Sequence, residues 1–236
     1  MTGRLFVTGG RGYLGRVVVE RAAAAGWEVT APPSSTVDIR DATALTTAMA
    51  GADAIVHTAY VKDRPDMVDV IVGGSANVVA AAAGRRLVHL STDVVFDGHL
   101  GRPYREDDPL SPNTDYGRAK AAAEAVVAGA PAAVVVRTSL IYGGPGRPPS
   151  PSEQAAVDRG ATFFVDELRC PVQVDDLAAA VIELLGLDVV GPLHVAGPDG
   201  ISRATFAAMC AGREVRTTTA AGAPATTASA AALARP

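Results

Sequence analysis

The chain has 236 residues, 48% of them hydrophobic, and its formal net charge is −4 at pH 7. This composition predicts a soluble globular protein with enough residues for a substantial core. A slightly acidic chain without a basic excess excludes classes that bind nucleic acid or an anionic membrane surface. No apolar run approaches the roughly 20 residues of a membrane span.

The cellular setting follows from the N-terminus and the cysteines. Residues 1–4 lead into a short apolar strand without the hydrophobic stretch of a signal peptide. Cys170 and Cys210 are the two cysteines, and their spacing is not that of metal ligands. We therefore expect a cytoplasmic protein with two buried free thiols and no metal site.

The first predicted elements form a cradle for a nucleotide. A strand at residues 5–7 is followed by three glycines, spaced by three, and by a helix that extends to about residue 25. Gly9 permits the tight turn, Gly12 lets the backbone approach a pyrophosphate, and Gly15 lets the helix pack on the strand. The pattern in this strand and helix context indicates dinucleotide binding.

The second predicted strand, residues 27–31, bears on the choice of cofactor. An NAD-selective site would place Asp or Glu about 20 residues beyond the glycines, to bind the ribose 2′-hydroxyl. The sequence has Ser34 and Ser35 there, and Arg11 lies within the glycine loop. Small hydroxyls and a guanidinium suit a 2′-phosphate better, so the sequence favours NADP(H) over NAD(H).

The next elements alternate between strands and helices. We predict strands at residues 37–40, 54–60 (a strand together with its turn), 86–91 and 133–138, and helices at 41–50, 67–83 and 116–128, with Asp41 as the cap of the first of these. This alternation predicts an α/β fold with a Rossmann-type doubly wound parallel sheet. The residues at the carboxyl ends of the strands, where ligands of such sheets bind, are Gly9, Asp38, Ala59, Thr92 and Ser139. His57, in an apolar run, is interpreted as structural.

The sequence predicts three parts. Residues 1–150 form the dinucleotide-binding core, residues 151–211 form small substrate-side elements with some return to the core, and residues 212–236 form a flexible low-complexity tail. In the second part we expect a helix at residues 152–159, a helix capped by Asp175, a strand at 193–195, and a last helix that begins at Ser202 or Thr205.

One stretch carries the candidate chemistry. The strand that ends at residue 91 presents the hydroxyls of Ser91 and Thr92, and Tyr116 and Lys120 follow four residues apart on a predicted helix. Residues i and i+4 share a helical face. A free tyrosine titrates near ~10, and a neighbouring ammonium favours its phenolate, so this pair suits proton transfer at neutral pH. The chain has nineteen Arg but only two Lys, which makes a lysine at this position more informative.

These motifs resemble the extended short-chain dehydrogenase/reductases and, more narrowly, the dTDP-4-dehydrorhamnose reductase family. The resemblance covers residues 5–211 and rests on the glycine loop, residues 90–98, the tyrosine and lysine pair, residues 137–143 and residues 166–178. It implies a catalytic trio of Thr92, Tyr116 and Lys120. It also implies a nucleotide sugar as substrate and cofactor contacts from Gly9, Gly12, Tyr13, Leu14, Asp38, Ile39, Thr58, Ala59, Tyr60, Tyr116 and Lys120. Arg11 is added to these contacts because of its place in the glycine loop.

The sequence departs from that family in three respects and leaves other functions open. Val94 and Leu140 stand where the family usually has Tyr and Trp on the substrate side, and the C-terminal part is short. One alternative is a cofactor-binding regulatory or sensor protein without turnover, and another is a nucleotide-sugar epimerase or dehydratase, for which Asp93 is a candidate acid. Asp93, Asp97, Asp107 and Asp108 are interpreted as an exposed acidic loop, and the alanine-rich helix after Tyr116 is compatible with a homodimer.

Overall fold

The structure is a computed structural model and describes residues 3–220. Its helices are α1 (Tyr13–Ala24), α2 (Ala42–Met49), α3 (Gly74–Ala82), α4 (Asp115–Val127), α5 (Pro151–Val157), α6 (Val174–Leu184) and α7 (Arg203–Ala211). Its strands are β1 (Arg4–Thr8), β2 (Glu28–Thr30), β3 (Ala54–His57), β4 (Arg86–Thr92), β5 (Ala133–Thr138), β6 (Ile141–Tyr142), β7 (Thr162–Phe164), β8 (Leu168–Arg169), β9 (Val172–Gln173), β10 (Gly191–His194), β11 (Ile201–Ser202) and β12 (Arg216–Thr218).

The central element is a six-stranded sheet with the order β10-β5-β4-β3-β1-β2. The pairs β1·β2, β1·β3 and β3·β4 are parallel. Strand order reverses between β1 and β3, which is where a doubly wound sheet opens a crevice for ligands. The predicted fold class is therefore confirmed. No helix within residues 3–220 is long and apolar enough to cross a membrane.

The predicted strand at residues 37–40 is wrong. These residues form turns, and β2 is left as the edge of the sheet. The carboxylate of Asp38 accepts the backbone N–H of Arg40 at 2.9 Å and its guanidinium at 2.6 Å, which bends the chain back on itself. Ile39 is nevertheless buried, so its apolar character reflects packing rather than strand pairing.

Helix ends were predicted with mixed success. Asp41 is confirmed as the cap of α2, since its carboxylate accepts the N–H groups of residues 43 and 44. Ser202 caps α7, which ends at Ala211 as expected. The predicted cap at Asp175 is wrong: the side-chain oxygen of Gln173 accepts the first N–H groups of α6, at 3.0 and 3.2 Å, and Asp175 pairs with Arg147.

The chain divides into two compact units, each built from several segments. Unit 1 comprises residues 3–91, Ala119–Val136 and Ala178–Leu193, and unit 2 comprises Thr92–Arg118, Arg137–Leu177 and residues 194–220. The predicted boundaries at residues 150 and 211 do not coincide with these units. The substrate-side role of residues 151–211 stays a prediction.

The predicted flexible tail is partly wrong. Arg216–Thr218 forms β12, which pairs in parallel with β7 inside unit 2. The prediction of a flexible tail rests on low sequence complexity. A strand of three residues is too short to show a recognisable alternation of apolar and polar residues. The remaining residues of the predicted tail, 221–236, lie outside the described part of the chain.

Candidate active site

Unit 1 contains a cavity of about 630 Å³ at the carboxyl ends of β1 and β3. This volume lies within the roughly 300–1,000 Å³ of small-molecule sites. The lining comes from three segments that follow β1, β2 and β3, and comprises Phe6, Thr8, Gly9, Gly10, Arg11, Gly12, Pro32, Pro33, Ser34, Ser35, Val37, Asp38, Ile39, Arg40, Leu45, Thr58, Ala59, Tyr60, Val61, Arg64, Asp66 and Val70. The cavity thus lies where a doubly wound sheet binds a nucleotide.

The glycine loop is shaped by backbone contacts that a side chain would prevent. Gly9 has φ of +70°, and a Cβ there would lie 2.7 Å from the backbone nitrogen of Ala59. A Cβ on Gly15 would lie 2.1 Å from the carbonyl oxygen of Gly9. That oxygen also accepts the N–H of Gly12 at 2.8 Å. The loop is therefore a tight backbone cradle, and the residues present fit a bound dinucleotide.

Four charged side chains form a network beside the cavity. Arg40 pairs with Asp38 at 2.6 Å and with Asp66 at 3.2 Å, and Arg64 pairs with Asp66 at 2.8 Å. Arg11 also lines the cavity, but within residues 3–220 it has no ion-pair partner. Arg11 is therefore the lining guanidinium that is available to an anion.

Eight of the predicted cofactor residues line this one cavity: Gly9, Arg11, Gly12, Asp38, Ile39, Thr58, Ala59 and Tyr60. Tyr13 and Leu14 lie outside the lining, in the first turn of α1. The arginines Arg40 and Arg64, with Asp66, were not predicted as cavity residues. Their signal in the sequence was the alternation of acid and base in Asp38-x-Arg40 and Arg64-x-Asp66, which indicates local ion pairs and not a ligand.

His57 lies between two hydroxyls in unit 1. Ser75 donates its proton to the carbonyl oxygen of Ile71 at 2.5 Å, so it must accept from His57 Nε2 at 3.1 Å. His57 Nδ1 is then the acceptor for the hydroxyl of Thr8 at 2.6 Å. Both ring nitrogens are engaged in the neutral form, which supports the interpretation of His57 as structural.

A second histidine, His89, packs against the first with ring centroids 5.0 Å apart. Burial lowers the pKa of His57 to about 3 and that of His89 well below its usual value, and the Lys120 ammonium acts in the same direction. Neither ring nitrogen of His89 has a hydrogen-bond partner among the described residues. Both imidazoles are therefore neutral at the pH of the cell.

Folding stability should fall in acid because of this pair. The unfolded chain takes up a proton on each histidine near ~6.5, whereas folded His57 resists it down to about 3. The contribution of the neutral histidines to the free energy of unfolding is therefore fully present above pH ~6.5. It is lost as the pH falls, by up to about 1.4 kcal/mol per pH unit for each histidine. Replacement of His89→Leu should flatten this slope in urea unfolding between pH 7 and 5, and the exposed control His99→Leu should leave it unchanged. An equal slope in His89→Leu and the native chain would contradict the explanation.

Lys120 is buried in unit 1, near the end of β4. Its ammonium donates to the carbonyl oxygen of Leu90 at 2.5 Å. Burial lowers the pKa of Lys120 to about 8, against the opposing effect of Glu124. The charged form therefore predominates below about pH 8. The hydroxyl of Ser91 donates to the Glu124 carboxylate, so of the two hydroxyls at this strand end Ser91 is already committed to a partner.

Thr92 and Tyr116 belong to unit 2, where backbone packing brings their segments together. The helix that carries Tyr116 begins at Asp115, and the hydroxyl of the preceding Thr114 accepts the N–H of Gly117 at 3.0 Å. A Cβ on Gly117 would lie 2.3 Å from the carbonyl oxygen of Val94. Gly117 thus lets the first turn of α4 pack on the turn that follows Thr92. Lys120 lies on the same helix, four residues beyond Tyr116.

The predicted exposed acidic loop is wrong for Asp93. Asp93 is fully buried, and Arg169 and Ser139 bind its carboxylate. Asp108 pairs with Arg102 at 2.6 Å, and Asp107 is exposed. Within residues 3–220 no cluster of three or more His, Cys, Asp or Glu side chains could hold a metal ion. Cys170 is buried, whereas Cys210 is only half-buried, and neither forms a disulfide within residues 3–220.

A family model described as the RmlD substrate binding domain matches residues 3–236. The chain belongs to this family. The protein named dTDP-4-dehydrorhamnose reductase from Mycolicibacterium smegmatis is 35% identical over 235 residues, which covers 91% of this chain and 72% of that protein. A Streptomyces antibioticus protein named probable dTDP-4,6-dihydroxy-2-methyloxan-3-one 4-ketoreductase is 32% identical over 194 residues, covering 76% of this chain and 66% of that protein.

Solved structures agree with this membership at the level of the fold. The Bacillus anthracis dTDP-4-dehydrorhamnose reductase in complex with NADP has a TM-score of 0.83 and 23% identity, covering 97% of this chain and 88% of that one. The Thermus thermophilus UDP-glucose 4-epimerase in complex with NAD has a TM-score of 0.79 and 22% identity, covering 98% and 90%. The predicted relation to the extended short-chain dehydrogenase/reductases is confirmed, and with it the prediction of an NAD(P)-dependent enzyme of this type.

Proposed function

We propose that the chain is an NADPH-dependent reductase of a nucleotide-activated keto sugar, similar to dTDP-4-dehydrorhamnose reductase. The observation that supports this most is the 35% identity to the reductase of Mycolicibacterium smegmatis across 91% of the chain. The cavity at the carboxyl ends of β1 and β3 supports the proposed binding of a dinucleotide cofactor, because the glycine loop is part of its lining.

The reaction requires hydride delivery to a carbonyl carbon and a proton for the resulting alkoxide. In the proposed site Tyr116 is the general acid and donates its phenolic proton to the sugar oxygen. Lys120 stabilises the phenolate that remains, because its ammonium is charged below about pH 8. Thr92 donates a hydrogen bond to the carbonyl oxygen, where negative charge develops.

The cofactor, when bound, supplies the hydride. Gly9 and Gly12, together with Tyr13 and Leu14 at the start of α1, would hold its pyrophosphate, as the family resemblance implies. Asp38 and Ile39 would hold the adenine, and Thr58, Ala59 and Tyr60 the turn under the ribose. Lys120 would bind the nicotinamide ribose and so fix the geometry of hydride transfer.

The preference for NADPH is proposed to come from Arg11. Its guanidinium lines the cavity with Ser34 and Ser35 and has no ion-pair partner within residues 3–220. A charge-assisted bond to phosphate contributes about 1.5–3 kcal/mol, so Arg11→Ala should raise the Kd for NADPH by roughly 10- to 100-fold and leave that for NADH within about twofold. Fluorescence titration measures both. Arg213→Ala, in unit 2, is the control for loss of charge, and equal weakening of both cofactors in Arg11→Ala would contradict the assignment.

Turnover decides between this function and its alternatives. The purified chain is incubated with dTDP-4-dehydrorhamnose, and NADPH oxidation and sugar products are followed. Stoichiometric oxidation with formation of a 4-hydroxy sugar is the expected result. Cofactor binding without turnover of any keto sugar would favour a regulatory or sensor protein, and sugar conversion without net NADPH loss would favour an epimerase or dehydratase.

Three further predictions belong with this proposal. We propose a homodimer, a cytoplasmic location and a nucleotide sugar as the small-molecule partner. Sedimentation of the purified chain tests the first, and fractionation of the source cells tests the second. The mass of a ligand that co-purifies with the chain would identify both the cofactor and the nucleotide.

A further inference from the structure

Unit 2 contains a buried ionic cluster directly after the proposed catalytic threonine. Arg169 binds both carboxylate oxygens of Asp93, with Nε 2.7 Å from Oδ2 and Nη2 bonded to Oδ1. Its third nitrogen, Nη1, donates to Glu167 Oε1 at 3.1 Å. Asp93 is fully buried, and Arg169 and Glu167 are each 7% exposed. The mechanism above assigns no role to these three charges.

The hydroxyls around Asp93 show which bonds are strong and which are weak. Ser139 donates to Asp93 Oδ2 at 2.5 Å and accepts the N–H of Cys170 at 3.1 Å. Thr92 donates to Asp93 Oδ1 at the longer distance of 3.3 Å, and it accepts the N–H of Val94 at 3.4 Å. The Thr92 hydroxyl is therefore directed by Asp93 but only loosely held.

The charges around Asp93 explain why a weak hydrogen bond from Thr92 suits the reaction. A buried carboxylate without a counter-charge would be a strong acceptor and would hold the hydrogen bond of a neighbouring hydroxyl. Two bonds from Arg169 and one from Ser139 already neutralise and satisfy the Asp93 oxygens. The remaining attraction for Thr92 can orient its hydroxyl, and a substrate oxygen that gains negative charge can accept the hydrogen bond of that hydroxyl instead.

We propose that Asp93 and Arg169 are positioning residues for Thr92. Asp93 orients the Thr92 hydroxyl, and Arg169 prevents this carboxylate from competing strongly with the substrate oxygen for the hydrogen bond of that hydroxyl. The inference rests on the proposed function, because Thr92 must donate to a substrate carbonyl for its orientation to affect turnover. It also explains why Asp93 is a poor candidate for the acid of a dehydratase: its oxygens are committed to Arg169 and Ser139.

The test is a double-mutant cycle on kcat. Thr92→Val should lower kcat by about 10²-fold, as expected for loss of one oxyanion donor, and Asp93→Asn by about tenfold with KM within twofold. If Asp93 acts through Thr92, then Asp93→Asn in the Thr92→Val background should change kcat by less than about twofold. The same tenfold loss in both backgrounds would overturn the proposal. Asp97→Asn, in the same loop, is the control. Any decrease in kcat that it causes should be equal in the native and the Thr92→Val backgrounds.

Arg169 is tested against Asp93 in the same way. Arg169→Gln alone leaves Asp93 as an uncompensated buried charge and should cost about 10²-fold in kcat or fail to fold. The triple variant Asp93→Asn/Glu167→Gln/Arg169→Gln removes all three buried charges and should have a kcat within about threefold of that of Asp93→Asn/Glu167→Gln. A triple variant that is folded but has a much lower kcat than Asp93→Asn/Glu167→Gln would show that Arg169 does not act through Asp93.

Thermal unfolding separates failure of this inference from failure of the proposed function. If the native chain does not turn over any keto sugar, the proposed function is wrong, and the Thr92 and Asp93 variants are compared by Tm instead. Because the two side chains share a hydrogen bond, their Tm shifts should be clearly non-additive. Additive shifts would overturn the positioning of Thr92 by Asp93, whatever the chain catalyses.

Discussion

Tyr116→Phe is expected to lower kcat by about 10²- to 10⁴-fold, the contribution typical of a general acid. The substitution removes only the phenolic oxygen and leaves the residues of the glycine loop, which are proposed to hold the pyrophosphate, unchanged. The Kd for NADPH should therefore change by less than about threefold. Steady-state kinetics with the keto sugar and fluorescence titration with NADPH measure the two quantities.

The matched control for this variant is Tyr142→Phe. Tyr142 is also half-buried in unit 2, and its strand β6 pairs with β9. Its loss of a phenolic oxygen should leave kcat within about threefold, because we assign it no proton to transfer. Full activity in Tyr116→Phe, with the substrate reduced at the native rate, would exclude Tyr116 as the acid.

Most of the fold could be predicted because its signals are local. The apolar runs of β1, β3, β4 and β5 are fully or almost fully buried, which is typical of central parallel strands. Residues 37–40 show where such reasoning fails. Their pattern of alternating apolar and polar residues suits a strand, but the pairing of Asp38 with Arg40 stabilises a turn instead. The Ile39 side chain occupies the space that a Cβ on Gly74, far away in sequence, would need.

The candidate site likewise has one part that could be predicted from local sequence and one part that could not. The glycine loop was predictable because the glycines spaced by three, Gly9, Gly12 and Gly15, specify one local backbone conformation. The cluster around Asp93 was not predictable, since Arg169 is 76 residues away from Asp93 and Ser139 is 46 residues away. On the proposed substrate side the sequence differs from the family at Val94 and Leu140. Val94 directly follows Asp93, and Leu140 directly follows Ser139. The sequence therefore indicated the reaction better than the substrate.

Gly15→Ala should abolish cofactor binding more completely than any change of a charged residue in the cavity. The added Cβ would lie 2.1 Å from the carbonyl oxygen of Gly9 and 2.8 Å from its carbonyl carbon. That carbonyl cannot move away without breaking its bond to the Gly12 N–H, which closes the loop. Helix α1 must therefore shift from the end of β1. We expect the Kd for NADPH to rise at least about 10²-fold and stability to fall by about 1–3 kcal/mol, as for overpacking.

Gly73→Ala separates this effect from the general cost of a glycine substitution. Gly73 is the last residue of a short helical segment, Asp69–Gly73, that continues directly into α3. Its φ is −62° and its ψ is −45°, and a Cβ there would meet no neighbouring atom within 4 Å. The extra methyl group should increase stability by about 0.5–1 kcal/mol, because alanine has a higher helix propensity than glycine, and NADPH binding should stay unchanged. Urea unfolding and NADPH titration are performed on both variants. NADPH affinity within twofold of the native value in Gly15→Ala would mean that the contact between α1 and β1 does not shape the cofactor site, whereas loss of binding confined to Gly15→Ala would assign that role to the Gly9 carbonyl.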